Sequence, residues 1–96
     1  MKSCCYLLAV LTNMLAGCTA LSATHNPAEH DNSPAATLYR TRCSACHALP
    51  DPRRLSFTGW QAVIPVMQHR MHERGMDALD PQQRQTLLAW LKAHSR

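Results

Sequence analysis

The sequence is poor in aromatic residues, with two Trp, two Tyr and one Phe among 96 positions. Its formal net charge of +4 is modest, and its Lys and Arg residues form no run. A nucleic-acid-binding face needs a basic stripe with aromatic side chains set into it, so the composition speaks against that class of function. No internal repeat is present. No apolar run is long enough to cross a bilayer as a mature helix. The length admits one domain at most. A folded region of about 60 residues lies near the lower limit for a self-sufficient core, and chains of that size commonly need a staple.

What the sequence does have is a pentapeptide, Cys43-Ser44-Ala45-Cys46-His47. C-x-x-C-H is the attachment spacing of c-type haem. Each thiol adds to one vinyl group at the haem edge, and the histidine then lies under the ring as the proximal iron ligand. A bare C-x-x-C would read as a redox dithiol or half a zinc site. The adjoining histidine narrows that choice. A zinc site built with His69-x-x-His72 leaves both His47 and the following Pro-rich segment unexplained. The motif resembles that of the c-type cytochromes.

The other three cysteines lie near the start. Lys2 precedes an apolar run from Tyr6 to Ala16, which has the form of an export-signal core. The run ends in Leu15-Ala16-Gly17-Cys18, which resembles a bacterial lipobox. That resemblance implies a signal peptide over residues 1–17, removed together with Cys4 and Cys5, and lipidation of Cys18. Several acyl chains anchor a protein stably, whereas one does so only marginally. In lipoproteins an Asp after the cysteine favours the inner membrane, so Thr19 leans towards the outer one. Export and haem attachment agree, because c-type haem is attached outside the cytoplasmic membrane.

Residues 18–32 are expected to form the lipidated end and a flexible tether. A coil of that length spans about 20 Å r.m.s.. His25 and His30 fall in it and read as solvated residues. Residues 33–96 are expected to form the domain. Ser33-Pro34 looks like an N-cap followed by proline at the first helical position, with a helix over 35–42. Pro50 and Pro52 end that helix and impose a loop. Thr58 and Gln61 have capping-box spacing for a second helix reaching about Arg74, with Trp60, Val63, Ile64, Met67 and Met71 on one face. Pro65 should kink that helix or delay its start. Gly75 suits its end. Asp80-Pro81 starts a third helix reaching about His94, with Leu87, Leu88, Trp90 and Leu91 as its buried stripe.

Over residues 33–96 the chain is similar to class I cytochromes c. The resemblance implies an all-α fold, a small domain of about three helices packed around one covalently bound haem c. It implies that Trp90 packs where the last helix crosses the cysteine-bearing one, and that a proline carbonyl such as that of Pro50 receives the imidazole N–H. Cys43, Cys46 and His47 are then the haem-binding residues, with His47 on the iron. A methionine in the sixth position would raise the potential, while an open one would admit ligands. Loops of many class I cytochromes favour Met76. The segment Trp60-x-x-x-Ile64-x-x-Met67 resembles one in haem domains of dehydrogenase cytochrome subunits, which favours Met67. Met71 is the remaining candidate.

The function implied is electron transfer on the periplasmic side of a bacterial membrane, by a lipid-anchored monomer serving redox-protein donors and acceptors, such as a dehydrogenase or oxidase. It is not an enzyme on this reading. The alternative is a five-coordinate haem sensor or peroxidase-like protein, for which no distal acid–base pair is evident.

Overall fold

The structure, a computed structural model, describes residues 25–96. The expected signal peptide and the lipidation site Cys18 lie outside the described residues. Four α-helices carry the described chain: α1 (Pro27–His30), α2 (Pro34–Cys43), α3 (Phe57–Glu73) and α4 (Pro81–His94), with a 3-10 turn at Pro52–Arg54. No strand occurs among the described residues. The all-α expectation holds. Among these residues no helix is long and apolar enough to cross a membrane.

One local device starts most of these elements. A short polar residue caps the backbone and a proline follows it. Proline's missing N–H is no loss there, since the first-turn donors have no helical partner anyway. Asn26 accepts from Ala28 N at 3.0 Å, Ser33 from Ala36 N at 3.2 Å, and Asp51 from Arg53 N at 2.8 Å. At Asp80 the device is a full capping box: Gln83 N donates to the carboxylate at 2.7 Å, and Asp80 N donates to the Gln83 side chain at 3.1 Å.

Helix α3 starts differently from the expectation. Its N-cap is Ser56, whose Oγ accepts from Gly59 N at 3.1 Å, so Thr58 lies within the first turn. The helix also runs through Pro65. Pro65 and Gln61 are both exposed, so the carbonyl that Pro65 leaves without a partner, four residues earlier, is on the solvent side. The helix ends as expected. Gly75 has φ +69°, its N–H donates to His72 O at 3.0 Å, and Met76 N donates to Met71 O at 2.9 Å. This is the Schellman arrangement, which satisfies carbonyls that the helix end would otherwise strand.

The core forms where α4 packs across α2. Tyr39 is fully buried, its ring 5.1 Å from that of Trp90 and 6.0 Å, edge-on, from that of Trp60. Trp90 thus occupies the helix crossing, as the family resemblance implied. Leu87 and Leu91 close the same cluster. Each such side chain contributes about 1.5–3 kcal/mol by leaving water.

The domain begins earlier than Ser33. Ala28 is fully buried, and Arg40 donates to the carbonyls of Ala28 and Asp31. Asp31 in turn accepts from Trp90 Nε1 at 2.7 Å. Residues 26–31 are therefore fastened to the domain, and the tether expected over 18–32 does not extend through them. The physical reason is the Asn26-Pro27 cap, which lets one buried alanine and one aspartate dock.

Candidate functional site

Helix α2 ends at Cys43, and residues 44–47 bend away from it, so the motif turns out of the helix. Cys43 is half-buried and Cys46 exposed, and neither is in a disulfide. Burial pushes the Cys43 thiol up to about 11, against a smaller opposing effect of the Arg42 charge. A redox C-x-x-C depends on a cysteine whose pKa is pulled down. Cys43 is shifted the other way, which counts against the dithiol reading.

His47 is exposed, and its Nδ1 lies 2.9 Å from the carbonyl oxygen of Ala48. A carbonyl only accepts, so this pair puts the imidazole proton on Nδ1 and leaves the Nε2 lone pair to bind a metal. The carbonyl expected for that role belonged to Pro50. It is instead taken by Tyr39 Oη at 2.8 Å and Asn26 Nδ2 at 3.1 Å. The next proline carbonyl in the loop, that of Pro52, accepts from Trp60 Nε1 at 2.7 Å. Polar tips of three otherwise packed side chains thus hold the segment that follows the motif. Burial keeps the Tyr39 hydroxyl protonated by raising its pKa, so it remains a donor.

A cavity of about 460 Å³ opens between this segment and α3. That volume is within the range of sites for cofactor-sized ligands. Cys43, Cys46 and His47 line it on one side, with Trp60, Val63, Met67 and Met71 from α3. Those four positions share the inner face of α3 through its helical period. Met67 is 36% exposed, whereas Met71 is 6% exposed and its Sδ lies 3.9 Å from Arg42 Nη2. Met76 sits beyond Gly75 in the following loop and does not line the cavity. His69 and His72 are exposed on α3 and do not line it either.

Four arginines, Arg42, Arg54, Arg70 and Arg74, also border the cavity. Arg42 Nη2 donates to Asp77 O, while Arg42 Nε is buried without a partner. Hydrophobic periodicity does not mark these residues, because it concerns only apolar positions. The loop-holding residue Asn26 was legible, since Asn26-Pro27 repeats the cap-and-proline signal of the other helices.

The residues fit a haem. Two thiols are at attachment spacing, an imidazole offers Nε2, and thioethers come from a second element. The orphaned Arg42 Nε and the cationic border suit a ligand that is apolar in its body and carboxylate-bearing at one edge. Cys43 and Cys46 would hold it covalently, with His47 on its iron.

The sequence model of a family described as dihaem cytochrome c matches residues 39–96. That stretch runs from Tyr39 in α2, through the C-x-x-C-H motif and α3, to the end of α4. No curated protein and no solved structure matches the chain. The family's description names two haems, and the sequence holds one C-x-x-C-H pentapeptide. With motif, cavity and family match covering the same residues, the chain belongs to the dihaem cytochrome c family, a covalent-haem domain of electron transfer.

Proposed function

We propose that this chain is an electron carrier with a single haem c, held to the periplasmic side of a bacterial membrane, the outer one favoured, by lipid on Cys18. The observation that carries the reading is one cavity bordered by both motif cysteines, His47 and the methionines of α3. When bound, the haem supplies an iron that takes up and gives back one electron. Every other task falls to the chain. Cys43 and Cys46 fix the group, so it cannot dissociate between partners. Ala48 O holds the His47 proton on Nδ1 and so keeps Nε2 available.

Met67 is the sixth ligand in this reading. Met71 is packed into the core and its sulfur is engaged by Arg42, whereas Met67 is at the exposed margin of the cavity, where its thioether is free to turn. No Asp, Glu or second His occurs among the described residues bordering the cavity, so no acid–base pair is present for peroxide chemistry. That supports a carrier over a catalyst. The domain works as a monomer between a redox-protein donor and acceptor, for example as the cytochrome partner of a dehydrogenase or oxidase.

Exporting the chain in a host that attaches haem tests this directly. Haem should stay with the polypeptide on a denaturing gel, and be lost when Cys43 and Cys46 are both changed to Ala. The reduced protein should be low-spin and slow to bind carbon monoxide. Rapid binding would overturn the carrier reading in favour of a ligand-binding haem. Fatty-acid labelling that survives Cys18→Ser would overturn the anchor.

A further inference from the structure

Among the described residues, one group of three metal-competent side chains lies away from the cavity: His25, Glu29 and His30, all exposed, with their donor atoms within 4.8 Å of one another. Their spacing in sequence carries no recognised pattern. The fold brings them together, because the chain turns at Asn26 into the short helix α1.

The frame holding them is fixed. Ala28, between the ligands, is fully buried. Asn26 donates to Pro50 O, and Arg53 Nη2 donates to the backbone carbonyl of His25 at 2.9 Å. At the other end of α1, Arg40 holds the Ala28 and Asp31 carbonyls. The three side chains therefore project from a segment docked on the domain.

His25 Nδ1 and His30 Nε2 are 3.0 Å apart, with the rings edge to face at 4.8 Å between centroids. Zinc bound to imidazole at about 2.0–2.1 Å sets tetrahedral ligand atoms about 3.3 Å apart. The two nitrogens thus already have nearly the separation that shared coordination requires. Each neutral imidazole carries one proton, which can sit on the other ring nitrogen and leave both facing lone pairs for the ion. Glu29, also exposed, already holds a carboxylate oxygen within 4.8 Å of a ring nitrogen of each histidine. Two imidazoles and one carboxylate suit zinc or copper(II), which prefer nitrogen donors, and do not suit calcium or magnesium, which seek six or more oxygens.

From this geometry we infer that His25, Glu29 and His30 form a second metal site, separate from the iron, that takes one divalent ion of the zinc and copper(II) class. Water fills the remaining position. The ion ties the start of the domain to α1, beside the loop that follows the haem motif.

Calorimetric titration of the haem-loaded full chain with zinc sulfate tests the inference. One ion should bind per chain. His25→Gln and His30→Gln should each weaken binding at least tenfold, and Glu29→Gln by less. His69→Gln, which alters the exposed pair with Glu73 on α3 (3.3 Å), should change nothing. Zinc should raise the thermal midpoint of the parent protein and not that of the double histidine variant, since a ligand stabilises only the state that binds it. An unchanged haem spectrum in every variant shows that folding is intact. Equal zinc binding by the parent and the His25→Gln/His30→Gln variant overturns the inference, as does no binding at micromolar zinc.

Discussion

The two sides of the cavity are built on different principles. On the motif side, Cys43, Cys46 and His47 fall within five consecutive residues, and the segment after them is held through its backbone. Pro50 O takes hydrogen bonds from Tyr39 and Asn26, Pro52 O takes one from Trp60, and Ala48 O pairs with His47. On the α3 side there is one continuous helix, and what it presents depends on rotation about its axis. Trp60, Val63, Met67 and Met71 border the cavity because the helical period aligns them. The first side is a short motif whose following loop is pinned by discrete hydrogen bonds from Asn26, Tyr39 and Trp60. The second is fixed by how a whole helix docks, so two methionines one turn apart compete for one role.

The largest expected effect separates those two methionines. Met67→Ala should abolish the low-spin absorption of the haem-loaded protein and allow rapid carbon monoxide binding. Met71→Ala should do the reverse: it should keep the low-spin spectrum and cost about 2–5 kcal/mol in denaturant unfolding, as truncation of a buried methionine does. The opposite pattern would move the ligand one turn along α3 and sink the assignment of Met67.

A smaller effect probes the motif side. Tyr39→Phe removes one donor to Pro50 O and leaves Asn26 in place. The cost should be about 1 kcal/mol, the usual net contribution of a single hydrogen bond whose acceptor keeps another partner. Tyr39→Phe combined with Asn26→Ala strands that carbonyl, so the double variant should lose more than the sum of the singles. Strict additivity in urea melts would show that the two donors do not share a task.

The smallest effect is on pH. Trp90 Nε1–H and, to a lesser degree, Ser33 hold the Asp31 carboxyl down at about 2, below its ordinary 3.8. A lowered folded-state pKa means the folded chain binds fewer protons than the unfolded one. The associated stability is present above the ordinary value and is lost as pH falls from 3.8 towards 2. The thermal midpoint should decline over that window, and Asp31→Asn should flatten the decline. An unchanged acid limb in the variant would show that this carboxylate does not fasten the first segment to α4.

Much of the fold was legible because its signals are short-range. Ser33-Pro34 and Asp80-Pro81 start helices since a side-chain oxygen and a donor-less proline act within one turn, and Gly75 ends one because only glycine takes that φ without strain. Helix α3 was harder. Ser56 and Thr58 are both competent caps, and which one acts depends on where the chain leaves the 3-10 turn. Pro65 looked disruptive because the sequence does not say that its side of the helix faces water. The docking of residues 26–31 is hidden in the sequence for a related reason: Asn26-Pro27 carries a cap signal, but a four-residue helix is stable only because Ala28 is buried and Arg40 holds its carbonyl.

Sequence alone pointed to the attachment chemistry, because two thiols and an imidazole within five residues have the spacing that one haem edge requires, whatever surrounds them. It also determined the helical class, through caps and a 3.6-residue period. Tertiary structure decided the rest. It decided which carbonyl orients His47, which methionine sulfur is free and which is engaged, which arginines border the cavity, and that His25 and His30 meet across a turn. Pro50 O is taken by Asn26 and Tyr39, Met71 Sδ by Arg42, and the segment bearing His25 and His30 is docked by Arg40 and Trp90, all across long stretches of sequence. The rotation of α3 sets which of its side chains reach the cavity. Neither those contacts nor that rotation is encoded in local spacing.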